Sequence, residues 1–227
     1  ALGVRDAWIA VEGDRRDEVA SMTKALGASE LISLKRISSK YPAGSEKQLL
    51  SALAGIEIGE GKTPIDAGFV VFNAETCKAV YDAFARGLPL IERVVTVDGD
   101  CIAKPKNLRV PIGTPLSHLI DCCGGLCKEP KKMICGGPMM GVAQWDPKAP
   151  VTKNTSALLV LSSYFDRESK LAPACIRCGR CVKACPMKLM PLKIVEASAK
   201  GNNERCAALG AVSCMECGLC TYVCPGG

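Results

Sequence analysis

The chain has 227 residues, 48% of them hydrophobic and only 4% aromatic, and a formal net charge of +6. That length exceeds one ordinary domain and suggests two or three small ones, with cores of Val, Ile, Leu and Ala, a mix common in α/β domains. The single histidine, His118, excludes a His-rich zinc site, a haem pair and a catalytic triad with a second His to spare, and the lack of any apolar run near 18 residues, or of a signal peptide, argues against a membrane span.

Strand and helix alternate over the first 90 residues. Ala7 to Val11 reads as a strand, Arg16 to Leu26 as a helix, Leu31 to Ile37 as a strand, Ser45 to Leu53 as a helix, Gly68 to Phe72 as a strand and Ala74 to Ala85 as a helix. Such alternation makes a layered α/β domain with parallel strands. The sequence opens without a glycine-rich strand-to-helix turn ahead of it, so it reads as the back part of a longer α/β domain. Trp8 and Trp145 are expected simply to pack.

From Arg93 the segments shorten. Arg93 to Val97 and Leu108 to Val110 read as strands around a turn at Asp98-Gly99-Asp100, a helix starts near Thr114, and Lys132 to Cys135 is a further strand before Gly136-Gly137-Pro138. Strand, strand, helix, strand is the order of a small β-grasp module. Met140 to Gln144 and Ala157 to Leu161 read as two connecting strands that pack back on the first domain. The expected divisions are therefore 1–90, 91–140, 141–172 and 173–227. Lys128 to Lys132 is expected as a solvated turn, and His118 as a structural or surface residue in an apolar helical stretch.

The last part carries one cysteine spacing twice: Cys175-x2-Cys178-x2-Cys181-x3-Cys185-Pro186 and Cys214-x2-Cys217-x2-Cys220-x3-Cys224-Pro225. Steps of two residues curl the backbone around one face of a cube and turn successive sulfurs inward, leaving backbone N–H groups to donate to sulfide. Zinc or disulfides would be open to isolated C-x2-C pairs; the tandem runs point to two [4Fe–4S] clusters. In the bacterial ferredoxin pattern the fourth cysteine reaches to the other cube. One cluster then takes Cys175, Cys178, Cys181 and Cys224, and the other takes Cys214, Cys217, Cys220 and Cys185. Met190 to Ala199 and Glu204 to Val212 read as two helices between the motifs, giving an α-helical two-cluster ferredoxin domain. Ligation would bring the net charge to roughly +2, so no nucleic-acid partner is expected.

Seven cysteines remain: Cys77, Cys101, Cys122, Cys123, Cys127, Cys135 and Cys206. An odd number beside thiolate-bound clusters points to free thiols in a reducing, cytoplasmic compartment. Cys122, Cys123 and Cys127 supply no tetrahedral spacing and read as structural thiols near a helix end at Gly124. Gly59 to Thr63 lacks the phosphate-loop glycine and is followed by Pro64, so a glycine loop is the better reading. Two loops enter helices with polar residues: Tyr41 to Lys47, where Ser45 can cap, and Phe72 to Thr76, at the carboxyl end of an expected strand where α/β domains bind ligands.

Four segments carry a resemblance: Lys40-Tyr41-Pro42-Ala43-Gly44-Ser45-Glu46-Lys47-Gln48, Gly87 to Val97, Gly136-Gly137-Pro138-Met139-Met140-Gly141, and the first cysteine motif through Met187. With them the chain resembles the C subunits of Rnf complexes, membrane-associated ferredoxin:NAD oxidoreductases of bacteria that translocate ions. The resemblance implies part of an FMN- and NADH-binding α/β domain, a soluble-ligand-binding β-grasp domain and the two-cluster domain. It also implies that Tyr41, Gly44, Glu46, Asn73 and Thr76 line the flavin pocket, Glu46 nearest to where nicotinamide would stack. Other subunits of a membrane redox complex become the expected partners, and the cytoplasmic face of the membrane, held peripherally, the expected location. The glycine-rich flavin loop of such proteins is not among these residues, so the rest of that pocket is expected outside them. No side chain is singled out as a proton-transfer catalyst. Two other readings stay open, a cobalamin reductase flavoprotein and a non-enzymatic ferredoxin-like carrier module.

Overall fold

Apolar residues at alternate positions make strands of Ala7–Glu12 (β1) and Ile32–Ile37 (β2), and the intervening helix Arg16–Leu26 (α1) returns the chain so that they pair in parallel. Asp17 and Glu18 in the first turn of α1 and Lys24 in the last complement the helix dipole, while Val19 is its buried residue. The computed structural model describes residues 3–162 and 174–226. Within it two compact units divide between Phe72 and Asn73.

The first unit continues with Glu46–Ala54 (α2), which buries Leu50 and ends at Gly55. A single 3-10 turn, Pro64–Ala67, follows: Asp66 Oδ2 accepts from the Thr63 N–H and hydroxyl, a reciprocal cap with proline at the first position. The Trp8 and Phe69 rings lie 6.2 Å apart, and Lys35 Nζ stands 5.7 Å from the Trp8 ring. The strand expected over Gly68 to Phe72 does not form. Its apolar alternation is present, with Phe69 and Val71 half-buried and Val70 and Phe72 exposed, but no described strand offers it a ladder, and a lone extended segment is not a strand.

The second unit opens with Ala74–Arg86 (α3) and is built on a five-stranded sheet. Its strands are Glu92–Asp98 (β3), Lys106–Pro111 (β4), Lys132–Cys135 (β5), Val142–Gln144 (β6) and Ala157–Leu161 (β7), in the order β4-β3-β7-β5-β6. β7 runs parallel to β3 and antiparallel to β5, and the other pairs are antiparallel. The pieces expected to pack back on the N-terminal domain are thus β6 and β7 of this sheet, β7 at its centre. The helix Leu116–Cys122 (α4) lays Leu116, Leu119 and Ile120 against Val95, Val97, Val110, Leu158 and Val160. Each such fully buried side chain contributes about 1.5–3 kcal/mol. Gly99 turns the chain out of β3 at φ +121, and a Cβ there would stand 2.1 Å from the Val160 carbonyl oxygen. Trp145, expected to pack, is 90% exposed just beyond the edge strand β6.

Residues 174–226 hold only helices: Arg180–Ala184 (α5), Pro191–Ala199 (α6), Asn203–Ala208 (α7) and Leu219–Tyr222 (α8), with a 3-10 turn at Ala211–Ser213. The helix expected over Glu204 to Val212 is interrupted: Asn202 caps α7, and Gly210 at φ +74 separates it from the 3-10 turn. Among the described residues no helix is long and apolar enough to cross a membrane.

Candidate iron–sulfur and flavin sites

The two cysteine motifs fold alike. In each, a glycine in the left-handed region, Gly179 or Gly218, opens a short helix, α5 or α8, which carries the third cysteine. One residue in each loop, Arg177 or Glu216, takes the strained φ of +55. That turn aims its N–H at the sulfur of the first cysteine: Arg177 donates to Cys175 Sγ and Glu216 to Cys214 Sγ, both at 3.4 Å. Leu189 donates likewise to Cys185 Sγ at 3.4 Å, after Lys188 at φ +55. Backbone donors aimed at sulfur stabilise a thiolate that carries cluster charge.

Cys175, Cys178, Cys181 and Cys224 line one cavity, together with Ile176, Leu192 and Pro225. Its volume of about 120 Å³ compares with roughly 10–15 Å³ for a single water, so it has room for a cluster of atoms. Among the described residues no three His, Cys, Asp or Glu side chains gather tightly enough to hold one metal ion; these four cysteines stand around a space. Cys224 comes from the second motif, and this is the crossing that the spacing predicts. The donor set, four thiols with a backbone N–H directed at one of them, fits an iron–sulfur cluster.

The residues expected to line a flavin pocket fall in both units. Tyr41, Gly44 and Glu46 belong to the first, on the turn and first helical position at the start of α2, and Tyr41 and Glu46 are exposed. Ser45, expected to cap α2, makes no cap bond; its hydroxyl is buried without a partner. An orphaned hydroxyl beside Gly44, which has no neighbour within 4 Å of a Cβ position, fits a polar ligand there. Asn73 and Thr76 belong to the second unit. Asn73 is the N-cap of α3, its Oδ1 accepting from Glu75 N at 3.0 Å, a role legible in Asn before a helical run.

The remaining thiols divide by burial. Cys101 and Cys123 are fully buried and Cys135 half-buried, and burial pushes all three thiols up in pKa. Cys122 faces solvent with its sulfur 3.5 Å from His118 Nε2, and Cys127 donates to the Asp100 carbonyl at 3.5 Å. Asp100 sits under this loop: the Ser162 hydroxyl and N–H donate to it at 2.5 and 2.8 Å, Lys128 stands at 3.2 Å, and its pKa falls to about 2. Sequence reading missed this junction. It anticipated backbone donors within the cysteine runs, directed at sulfide, but not that Arg177, Glu216 and Leu189 supply them to cysteine sulfurs.

Three family descriptions match in succession: the Nuo51 FMN-binding domain over residues 1–82, the SLBB domain over 94–143 and the 4Fe-4S dicluster domain over 174–227. Among similar proteins, the C subunit of the Na(+)-translocating ferredoxin:NAD(+) oxidoreductase complex of Acetobacterium woodii is 40% identical over 93% of this chain and 48% of its own length. Its proton-translocating counterpart in Clostridium ljungdahlii is 44% identical over 84% of this chain and 41% of its own. The C subunit of the ion-translocating oxidoreductase complex of Rhodobacter capsulatus is 42% identical over 92% and 40%. The chain spans about half the length, or less, of the curated relatives it matches. The resemblance to Rnf C subunits expected from the sequence is borne out, as are FMN and [4Fe–4S] as the cofactors of these domain types.

Proposed function

We propose that the chain is part of an electron-transfer subunit of a ferredoxin:NAD oxidoreductase complex, passing electrons between NAD(H), FMN and two [4Fe–4S] clusters. The observation that carries this reading is the meeting of Cys224 with Cys175, Cys178 and Cys181 around one cavity, the crossed pattern of a two-cluster electron carrier. When bound, FMN trades an electron pair with nicotinamide and single electrons with the clusters, which accept one at a time.

The chain's own residues hold and tune. Cys175, Cys178, Cys181 and Cys224 hold one cluster; Cys214, Cys217, Cys220 and Cys185 hold the other, with Leu189 donating to Cys185. Tyr41, Gly44 and Glu46, with Asn73 and Thr76, contribute to the flavin pocket, and the rest of it comes from outside these residues. In this reading 1–90 is the end of the flavin domain, 91–140 the β-grasp module, 141–172 the connecting strands and 173–227 the ferredoxin-type domain. The partners are the other members of an ion-translocating complex, on the cytoplasmic face of a membrane that the chain itself need not cross.

Anaerobic reconstitution should give about eight iron and eight sulfide per chain. The Cys224→Ser variant should lose the spectroscopic signature of the cluster held by the first motif, and Cys185→Ser that of the other. Loss of the opposite cluster in either variant would overturn the crossed assignment. Wild-type protein holding about four iron or fewer would overturn the two-cluster reading itself.

A further inference from the structure

The two motifs match in backbone and differ in charge. Arg177 and Glu216 share one conformation and one N–H to sulfur bond, so that hydrogen bond is the same on both sides. Their side chains are opposite in sign. In order, the first motif places Ile176, Arg177, Arg180 and Lys183 where the second places Met215, Glu216, Leu219 and Tyr222. Among the described residues neither arginine is paired with a carboxylate.

They differ in cover as well. Cys217 is buried, and Gly218 beside it is packed so closely on Met139, in the loop after β5, that a Cβ would lie 3.3 Å from the Met139 methyl and 3.4 Å from its carbonyl oxygen. Cys178, its counterpart, is exposed. Around it Ile176 is 69% exposed, and the two arginines, both exposed, are among the residues that line the cavity. The difference lies at the second cysteine: Cys217 is buried, with Met139 against its neighbour Gly218, and Cys178 is exposed, while the first cysteine is exposed in both motifs.

We propose that the first motif is the place where this chain exchanges electrons with another protein, and that Ile176, Arg177 and Arg180 form a docking face for an acidic iron–sulfur carrier. This rests on the two-cluster reading above. An apolar centre rimmed by cations fits a negatively charged partner and steers its approach. Electron exchange between proteins requires close approach of the two centres, and this motif combines an exposed second cysteine with exposed basic side chains that can hold such a partner over it. The exchange moves one electron from the reduced carrier to the oxidised cluster, with no bond or proton transferred. Leu189 donates to Cys185, the fourth cysteine of the first motif, which the crossed assignment gives to the other cluster, and does not alter this face.

The test uses the reconstituted chain and the double variant Arg177→Glu with Arg180→Leu, which copies Glu216 and Leu219, side chains that this backbone already accepts. A pre-reduced, acidic plant-type [2Fe–2S] ferredoxin serves as the probe, and its oxidation by the chain is followed in a stopped flow. The wild-type second-order rate constant should fall as salt rises, and the variant should be at least about tenfold slower at low salt and lose most of the salt dependence. Equal rates, with about eight iron retained in both proteins, would overturn the docking face. Fewer than about eight iron in the wild type, measured before any carrier is added, would strike the two-cluster reading instead.

Discussion

Glu75 near the start of α3 and Arg93 in β3 are joined by a salt bridge of 2.5 Å, the arginine side chain only 11% exposed. The same carboxylate accepts from Val94 N at 3.0 Å, so one side chain ties helix to strand by both charge and backbone. Arg93 Nε is buried without a partner, which leaves Glu75 as the charge that compensates it. Removing one partner of a largely buried pair strands the other, at a cost of about 1–3 kcal/mol. Glu75→Gln and Arg93→Met should each destabilise the second unit, and the double variant should cost less than their sum. Denaturant unfolding of all four proteins checks this; strict additivity would mean that the pair is not coupled.

Asn73 has a capping role that can be separated from a flavin role. Asn73→Ala should cost about 1 kcal/mol through α3. Asn73→Asp keeps the capping oxygen and removes the amide donor, so thermal stability should be retained. If the amide also contacts flavin, FMN affinity of the full-length protein should fall roughly tenfold to a hundredfold in both variants. Unchanged FMN affinity in the Asp variant would confine Asn73 to its cap.

Gly99 and Gly113 offer a matched comparison, since both sit at positive φ, +121 and +96, but only Gly99 is crowded. Gly113→Ala should cost about 1 kcal/mol from backbone strain alone. Gly99→Ala meets the Val160 backbone and should cost at least about 2 kcal/mol or prevent folding. Melting temperatures of the two variants decide whether close approach, as distinct from dihedral preference, explains the glycine.

Asp100 links stability to pH in one direction. Its folded pKa of about 2, depressed mainly by the Ser162 hydroxyl and N–H, lies below its unfolded value. The stabilisation is therefore complete above about pH 4 and is lost as pH falls towards about 2. Asp100→Asn should lower the melting temperature by the same amount at about pH 7 and pH 5, and the gap should close between about pH 4 and pH 2. Circular dichroism on metal-free protein keeps acid loss of clusters out of the measurement; a gap that widens on acidification would refute the assignment.

Local patterns were legible wherever a segment's own residues decide its state. Arg16–Leu26, Lys132–Cys135 and Ala157–Leu161 have the bounds that their periodicity predicts, because amphipathic spacing and a following turn fix them. Gly68 to Phe72 has a strand's composition and no ladder, since pairing depends on residues far away in the chain. The destination of β7 was hidden for the same reason: five apolar residues say "buried strand" without saying between which neighbours. Thr63-Pro64-Ile65-Asp66, by contrast, is readable as a capping box with proline at the first helical position, a pattern that testing Gly59 to Thr63 against a phosphate loop does not reveal. The spacing suggests a crossing of Cys224 to the first motif, because a cube has four iron corners and each run supplies three adjacent ligands, and Cys224 does line that motif's cavity. The Ser162 bonds to Asp100 span 62 positions and join a turn to the end of a strand, a juxtaposition that no local pattern encodes.

The central place of β7 bears on how this middle module can move between genes. The match to its family stops at residue 143, yet the strand that bridges β3 to β5 begins at Ala157. A fusion that transplants residues 94–143 alone would carry two half-sheets with bare inner edges, ready to pair with other chains and aggregate. The segment that can be inherited, swapped or expressed as one piece therefore runs from β3 through β7, and the stretch leading from β6 to β7 travels with it as a strap across the sheet.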